Sequence, residues 1–265
     1  MRHTTPVMWY DERMDRMLHD LHAWYLRAGK RLLLLDYDGT LREFELQPEQ
    51  AVPTPEIKQL LQQLASDDKN VVVIVSGRDH ETLEHWFGGL PVYFVAEHGM
   101  AYRAPSEEWR FADALPAAWQ ESVRKLMDTS TQQVPGSLVE TKSNSLAWHY
   151  RKADEATVMP VLAKLLDKLE GLATELGLRI LRGSKVVEVQ PLGIDKGSSV
   201  RRWFDLDDYD FVLAVGDDVT DEDLFLAMPE HAATVKIGEG ETAAKHRLPD
   251  PPAARALLTK LALNG

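Results

Sequence analysis

Residues 32–40 read LLLLDYDGT, and their pattern indicates the fold class of the chain. Four consecutive leucines are too few to span a bilayer, but they suit a short β-strand that is buried on both faces. The run ends in two aspartates, Asp36 and Asp38, and a glycine. Because ligands of parallel sheets bind beyond the carboxyl ends of the strands, we expect the chemistry of the protein at this end.

The same pattern recurs along the chain. Apolar residues 71–75 end at Ser76-Gly77, apolar residues 211–215 end at Gly216, and residues 92–96 form a candidate fourth strand. Helical periodicity marks residues 8–28, 55–65 and 79–87. Strands that alternate with helices predict an α/β fold with a doubly wound, Rossmann-like sheet.

The middle of the chain predicts a smaller α+β domain, placed at residues 113–191 and inserted into the larger one. Residues 116–130 and 154–176 are predicted helices, with Pro160 expected to delay the second until about Val158. Four strands are predicted at residues 137–140, 146–150, 178–181 and 186–189. The larger domain then comprises residues 1–112 and 192–265.

Composition excludes several classes of protein. The 265 residues carry 30 Lys and Arg against 42 Asp and Glu, a formal charge of −12, which argues against a nucleic-acid partner. The absence of cysteine excludes disulfides, zinc–thiolate sites and cysteine nucleophiles. Residues 1–30 have no signal-peptide core, so we expect a cytoplasmic protein without a membrane partner.

Charged and small residues cluster where the predicted strands end. Asp36 and Asp38 repel one another and need a cation, a shared proton or strong hydrogen bonds, although a plain Asp-Gly turn is the alternative. Ser76-Gly77-Arg78 suits either an anion-binding corner or a helix cap. Lys196 precedes a predicted helix, where it is either a phosphate ligand or a solvated surface group.

A strongly acidic segment follows the strand at residues 211–215. Nine acids and no Lys or Arg lie between Phe204 and Asp223. Carboxylates gathered at a strand end are oxygen ligands suited to Mg²⁺. The acids closest to the strand end lie in residues 217–223, whereas acids such as Asp205 are interpreted as surface groups.

Taken in order, these motifs resemble those of the haloacid-dehalogenase-like (HAD) phosphohydrolases: DYDGT, SGR, a lysine and GDDVTDED. Within that superfamily the chain resembles the trehalose-6-phosphate phosphatase family. The strings that carry this resemblance are LLLLDYDGTL, VIVSGR, AEHG, SLAWHYR, VVEVQP, DKG and GDDVTDEDLF. The resemblance implies a HAD core and, at residues 113–191, the inserted cap domain of the C2 type.

The resemblance also implies roles for the core residues. Asp36 would be the nucleophile that forms an aspartyl-phosphate, and Asp38 the general acid and base. Mg²⁺ would be bound by Asp36, the backbone carbonyl of Asp38 and Asp217, with Asp218 or Asp221 joining directly or through water. The expected phosphate-binding residues are Thr40, Ser76, Gly77 and Lys196.

Substrate selection is expected from the cap and from a few residues of the core. The cap candidates are Glu140, Lys142, His149, Arg151 and Glu188, for which an exposed charge on a strand face is the alternative. The core candidates are Arg78, Glu97 and His98, and the last two either line the cleft or support it.

The implied function is a Mg²⁺-dependent phosphatase that converts trehalose 6-phosphate to trehalose and phosphate. One alternative is a relative acting on sucrose-phosphate, mannosyl-phosphoglycerate or glucosylglycerol-phosphate. The other is a catalytically silent module that regulates a sugar-phosphate synthase. The expected partner is a small sugar phosphate, and association with a trehalose-6-phosphate synthase is left open.

Overall fold

The computed structural model describes residues 8–45, 47–112, 118–141, 145–183 and 185–263. The chain divides into two compact units, one formed by Met1–Arg110 with Asp195–Gly265 and the other by Phe111–Ile194. The predicted domain edge at residue 113 lies outside the described residues. The assignment of residues 113–191 to a separate cap stays a prediction.

Twelve strands are present in the described residues. In chain order they are β1 (Arg31–Leu35), β2 (Asn70–Val75), β3 (Tyr93–Ala96), β4 (Ala101–Arg103), β5 (Arg110–Phe111), β6 (Leu138–Thr141), β7 (Leu146–His149), β8 (Leu178–Gly183), β9 (Val186–Pro191), β10 (Phe211–Gly216), β11 (Ala233–Ile237) and β12 (His246–Leu248).

The same residues contain eight α-helices. They are α1 (Met8–Arg27), α2 (Pro55–Ala65), α3 (His80–Phe87), α4 (Ala118–Gln133), α5 (Glu155–Leu176), α6 (Lys196–Trp203), α7 (Val219–Ala227) and α8 (Pro251–Ala262). None of these described helices combines the length and the apolar character that crossing a membrane requires.

The larger sheet has eight strands in the order β12-β11-β10-β1-β2-β3-β4-β5. Strand β1 lies near its centre and pairs in parallel with both β2 and β10. This confirms the predicted α/β fold with a doubly wound sheet. Strand β4, which the sequence analysis missed, runs antiparallel to β3 and has only three residues.

The leucine run is continuous because both faces of β1 are covered. Leu33 and Leu35 pack in a core with helices α1, α2, α3 and α8, whereas Leu32 and Leu34 pack on the opposite side with α6 and α7. Successive side chains alternate between the two faces of the strand, and because both faces are covered, every residue of the run is buried. This burial fixes the position of the aspartates that follow.

The smaller unit has a four-stranded antiparallel sheet in the order β6-β7-β9-β8. Helices α4 and α5 cover one face and pack around the fully buried Trp148. The expected late start of α5 is wrong, because the helix begins at Glu155 with Asp154 as its cap. Proline inside a helix costs about 3 kcal/mol, and here the cap and the buried apolar face of a 22-residue helix offset the cost of Pro160.

Candidate active site

Three carboxylates meet at the carboxyl edge of the larger sheet. Strands β1 and β10 are neighbours and end together, so that Asp36 follows one strand and Asp217 the other. The third, Asp221, lies in the first turn of α7 and is fully buried. One oxygen from each residue lies within 4.8 Å of the other two. All three were predicted at one metal site, and the structure brings them together.

Lys196 lies inside this carboxylate cluster. Its side chain is 3% exposed, and Nζ donates to Asp36 Oδ1 at 2.7 Å and to Asp221 Oδ1 at 2.7 Å. The lysine is the first residue of α6, whose N-terminus is closed by Asp195. A Cβ at the next residue, Gly197, would lie 2.1 Å from the Asp223 carbonyl oxygen, so glycine permits α6 to approach α7 closely.

Charge is unevenly balanced in the cluster, since three carboxylates share one ammonium group. Burial raises the pKa of Asp36 well above its ordinary value, and the charge of Asp221 raises it further. The same two causes raise the pKa of Asp217 to about 6. Burial alone would lower the pKa of Lys196, but Asp221 and Asp36 outweigh it and raise that pKa. The cluster therefore favours an added cation.

The donor set fits a divalent cation. Asp36 Oδ2 is buried and accepts no hydrogen bond from the described part of the chain. Asp217 Oδ1 accepts from Thr40 Oγ1 at 3.1 Å. Carboxylate oxygens without full sets of donors are the ligands that Mg²⁺ prefers. Asp36, Asp217 and Asp221 are the residues that would hold the ion.

Two residues of the acidic segment differ in position. Asp221 Oδ2 accepts from the backbone N–H groups of Asp217 and Asp218, each at 3.0 Å, and so fixes the turn between β10 and α7. The Asp218 carboxylate instead caps α7 and accepts from the Val219 N–H at 2.7 Å. The structure thus brings Asp221, and not the Asp218 side chain, to the cluster.

Asp38 is not one of the three clustered carboxylates and pairs with Arg78. The guanidinium donates from Nε to Asp38 Oδ2 at 2.8 Å and from Nη2 to Oδ1 at 2.6 Å. It also lies 4.7 Å from the ring centre of Trp86. A two-point contact of this kind fixes the plane of a carboxylate. Arg78, expected to bind substrate, therefore contacts the expected acid and base.

The SGR turn packs against the end of β3. Ser76 is buried, and its Oγ accepts from the Arg78 N–H at 3.1 Å, so it caps no helix; α3 is capped by Asp79. A Cβ at Gly77 would lie 2.5 Å from the His98 ring, which explains why the turn needs glycine there. The Oε1 atom of Glu97 lies 2.7 Å from His80 Nδ1.

The expected sugar-binding residues of the smaller unit share a sheet face. Glu140 and Glu188 both pair with Ala147, one from each neighbouring strand, and all three lie opposite the face of Trp148. Glu140 Oε2 lies 2.7 Å from His149 Nε2, and Ser145 Oγ donates to Glu188 Oε1. Arg151 is exposed in the turn after β7, and Lys142 lies outside the described residues.

Residues 34–251 match the family model described as Trehalose-phosphatase. The chain belongs to the trehalose-phosphatase family. Its fold is similar to that of a haloacid dehalogenase-like hydrolase from Bacteroides thetaiotaomicron, with a TM-score of 0.62 at 16% identity, covering 88% of this chain and 99% of that one.

Two members of the trehalose-phosphatase family are similar over nearly the whole chain. A bifunctional trehalose-6-phosphate synthase/phosphatase of Thermoproteus tenax is 43% identical over 241 residues, which are 91% of this chain and 33% of the relative. The structure of Aspergillus fumigatus trehalose-6-phosphate phosphatase is 32% identical with a TM-score of 0.79, covering 94% and 98% of the two chains. This chain spans a quarter to a third of the length of the curated relatives it matches.

One residue that supports the carboxylate cluster was not predicted from the sequence. Lys236, buried in β11, donates from Nζ to the backbone carbonyls of Asp217 and Asp218 and lies 3.6 Å from Glu222 Oε1. The sequence ATVKI could have indicated this role, because a lysine within a short, mostly apolar strand is expected to be buried. Buried lysines are rare unless they are paired. Its target was not visible, because it is a backbone group.

Proposed function

We propose that this protein is a phosphoric monoester hydrolase that converts trehalose 6-phosphate to trehalose and phosphate. The observation that carries the proposal is Asp36, whose buried Oδ2 accepts no described hydrogen bond while Oδ1 is held by Lys196. Family membership supports the substrate. Asp38 lies two residues after Asp36 in the sequence, and Arg78 holds its carboxylate. It supplies the second carboxylate that phosphoryl transfer through an aspartyl-phosphate requires.

In the first step, a carboxylate oxygen of Asp36 attacks the phosphorus atom, and the bond from phosphorus to the sugar oxygen breaks. Asp38, in its protonated form, gives its proton to that oxygen, so trehalose leaves as a neutral alcohol. Lys196 and the hydroxyls of Thr40 and Ser76, with the Gly77 N–H, hold the other phosphate oxygens. The product of this step is an aspartyl-phosphate at Asp36.

In the second step, water attacks the phosphorus atom of the aspartyl-phosphate. Asp38 now takes a proton from the water, the bond between phosphorus and Asp36 breaks, and both carboxylates return to their starting forms. The burial of Asp36 helps, because it limits the access of other water molecules.

We propose Mg²⁺ as the cofactor, held by Asp36, Asp217 and Asp221. When bound, it neutralises charge on the transferred phosphoryl group. The three carboxylates and one lysine alone would repel a phosphate dianion, so protein treated with EDTA is expected to lose phosphatase activity and to recover it with added Mg²⁺. Full activity in EDTA would contradict a metal requirement.

We propose that the sheet face with Glu140, His149 and Glu188, together with Lys142 and Arg151, selects the sugar. Carboxylates and imidazole hydrogen-bond readily to hydroxyl groups, and Glu140, His149 and Glu188 lie opposite the core of their unit. Glu188→Gln is expected to raise KM for trehalose 6-phosphate more than it lowers kcat. An unchanged KM would remove Glu188 from this role.

The test of the reaction is phosphate release from a panel of sugar phosphates with Mg²⁺. Trehalose 6-phosphate is expected to be the best substrate, and Asp36→Asn to reduce its turnover at least about 1000-fold, since the nucleophile is lost. Asp68→Asn, an exposed aspartate outside the site, is the matched control and should retain full activity. Activity retained by Asp36→Asn would overturn the mechanism.

The same panel separates the alternatives. Preference for sucrose-phosphate, mannosyl-phosphoglycerate or glucosylglycerol-phosphate would keep the mechanism and replace the substrate. No turnover of any phosphate ester would favour a catalytically silent regulatory module. The intact set of Asp36, Asp38, Ser76, Lys196 and Asp217 supports an active enzyme.

We also propose association with a trehalose-6-phosphate synthase. The support is that this chain is similar to one third of a Thermoproteus tenax protein whose name joins both activities. Co-elution of the two purified proteins in size-exclusion chromatography is the expected result. Separate elution at micromolar concentration would contradict a stable complex.

A further inference from the structure

Phe44 is an exposed aromatic residue at the edge of the carboxylate cluster. Its side chain is 71% exposed, although burying a phenylalanine contributes about 1.5–3 kcal/mol to stability. A Cβ built on Gly39 would lie 2.6 Å from Phe44 Cζ and 2.3 Å from Asp217 Oδ2. The tip of the ring and the Asp217 carboxylate therefore flank the same glycine.

The loop that carries Phe44 is held on several sides. The Gly39 N–H donates to the Arg42 carbonyl at 2.7 Å, and Arg255 donates to the Leu41 carbonyl and to Glu43 Oε1, each at 2.8 Å. Arg42 in turn contacts the acidic residues on both sides of Phe44, Glu43 at 2.9 Å and Glu45 at 2.5 Å. The ring is thus presented to solvent by an anchored backbone.

The position and chemistry of the ring suit one part of the substrate better than the other. The face of an aromatic ring carries partial negative charge, which disfavours a phosphate group. It attracts polarised C–H groups, and one face of a hexose ring presents several of them. The sugar is attached to the phosphate, so a phosphate bound at Asp36 and Asp217 places the first sugar ring near the edge of the cluster.

We infer that Phe44 is a specificity-determining residue that stacks against the sugar ring bearing the phosphate. This inference rests on the proposed function, because it needs a sugar phosphate as substrate. Phe44 takes no part in the transfer itself. Its contact with the sugar ring strengthens the binding of a sugar phosphate, and a phosphate ester or acyl phosphate without a ring does not gain this contact.

The test compares two substrates, trehalose 6-phosphate and acetyl phosphate, which has no ring. Phe44→Ala is expected to lower kcat/KM about tenfold for trehalose 6-phosphate, which corresponds to about 1.4 kcal/mol. For acetyl phosphate the expected loss is less than about twofold. Phe44→Tyr, which keeps the ring, should restore most of the loss. Leu263→Ala, equally exposed at 71% but at the end of α8, is the control and should change neither value.

Equal losses for both substrates would overturn the inference, because Phe44 would then act on the shared chemistry or on the fold. No loss for either would overturn it as well. If the wild type does not hydrolyse trehalose 6-phosphate, the proposed substrate fails separately, and the same ratio is measured with the best sugar phosphate of the panel. If no sugar phosphate is hydrolysed, the inference fails with the proposed function.

Discussion

Lys196 shows what one buried cation does among three carboxylates. It is the ammonium group that the structure places between Asp36 and Asp221, and its two bonds of 2.7 Å hold α6, α7 and the end of β1 together. Removing one partner of a buried ion pair leaves the other charge without compensation. The lysine is therefore expected to matter for stability as well as for phosphate binding.

Lys196→Met is expected to lower the free energy of unfolding of the metal-free protein by about 3 kcal/mol or more. Mg²⁺ should recover part of this loss, because it supplies positive charge to the same carboxylates. The measurement is urea unfolding with and without Mg²⁺, with Lys69→Met, an exposed lysine, as the control. Equal stability of Lys196→Met and the wild type in EDTA would contradict the structural role.

Arg78 is expected to act through the orientation of Asp38. Arg78→Lys keeps the charge but loses the two-point contact, so kcat should fall about tenfold for every phosphate ester tested. In an Asp38→Asn background the same substitution should have little further effect, because the group that it orients has gone. Additive losses in the double variant would show that Arg78 acts elsewhere.

Sequence predicted some of these residues better than others, for physical reasons. Asp36 and Asp217 were predictable because parallel neighbouring strands end at one edge of a sheet. The pairing of Asp38 with Arg78 was not, because side-chain direction after a strand end depends on the turn. The choice between Asp218 and Asp221 depended on which carboxylate caps α7, and both residues can do so by spacing.

At the level of elements, the turn between β10 and α7 is supported from both sides. Asp221 accepts from its backbone N–H groups, and Lys236 on β11 donates to its carbonyls. Because this turn carries Asp217, its position determines how well three carboxylates fit one ion. Strand β11 therefore contributes to the site through Lys236, which positions the turn, although the strand supplies no carboxylate to the cluster.

Lys236→Met is expected to weaken Mg²⁺ binding about tenfold, since groups that orient metal ligands commonly contribute 10- to 100-fold to affinity. Titration calorimetry measures this without reference to activity. Lys245→Met is a matched control, because Lys245 also donates to two backbone carbonyls, those of Glu230 and Ala232, away from the site. Equal losses in both variants would indicate general destabilisation instead.

The loop that carries Phe44 has a titratable anchor. The hydrogen bond from Arg255 lowers the pKa of Glu43 to about 2 from 4.5. A carboxyl with a lowered pKa in the folded state stabilises the protein above its unfolded value and loses that effect as the pH falls through its folded value. The stabilising contribution of Glu43 is therefore complete above about pH 4.5 and is lost towards pH 2.

Glu43→Gln is expected to lower Tm at pH 7, and the difference from the wild type should shrink as the pH falls from 4.5 towards 2. The effect should be below about 1 kcal/mol, because the carboxylate is 43% exposed and solvent screens it. Thermal unfolding at a series of pH values measures it. A difference that stays constant over this range would exclude the ion pair as its cause.

For the molecule as a whole, the alternation of strands and helices was enough to predict the fold. Helices cover both faces of the sheet, so its central strands must be apolar on both sides, and this makes them visible in the sequence. Strands β4, β5, β11 and β12 were not predicted. Three of them, β4, β5 and β12, have only two or three residues, which carry no detectable period. The start of α5 was predicted wrongly because a local rule for proline was overridden by packing.

The strand order has a consequence for how the chain folds. Leu32 pairs with Val71, which is close in sequence, but also with Val212, which is far from it. During synthesis, one edge of β1 therefore stays unpaired until the chain beyond the smaller unit has emerged, and such edges promote aggregation. Asp36 and Asp217 meet only when this late pairing forms. The carboxylate cluster should therefore be among the last parts of the molecule to assemble, and its appearance can report completed folding.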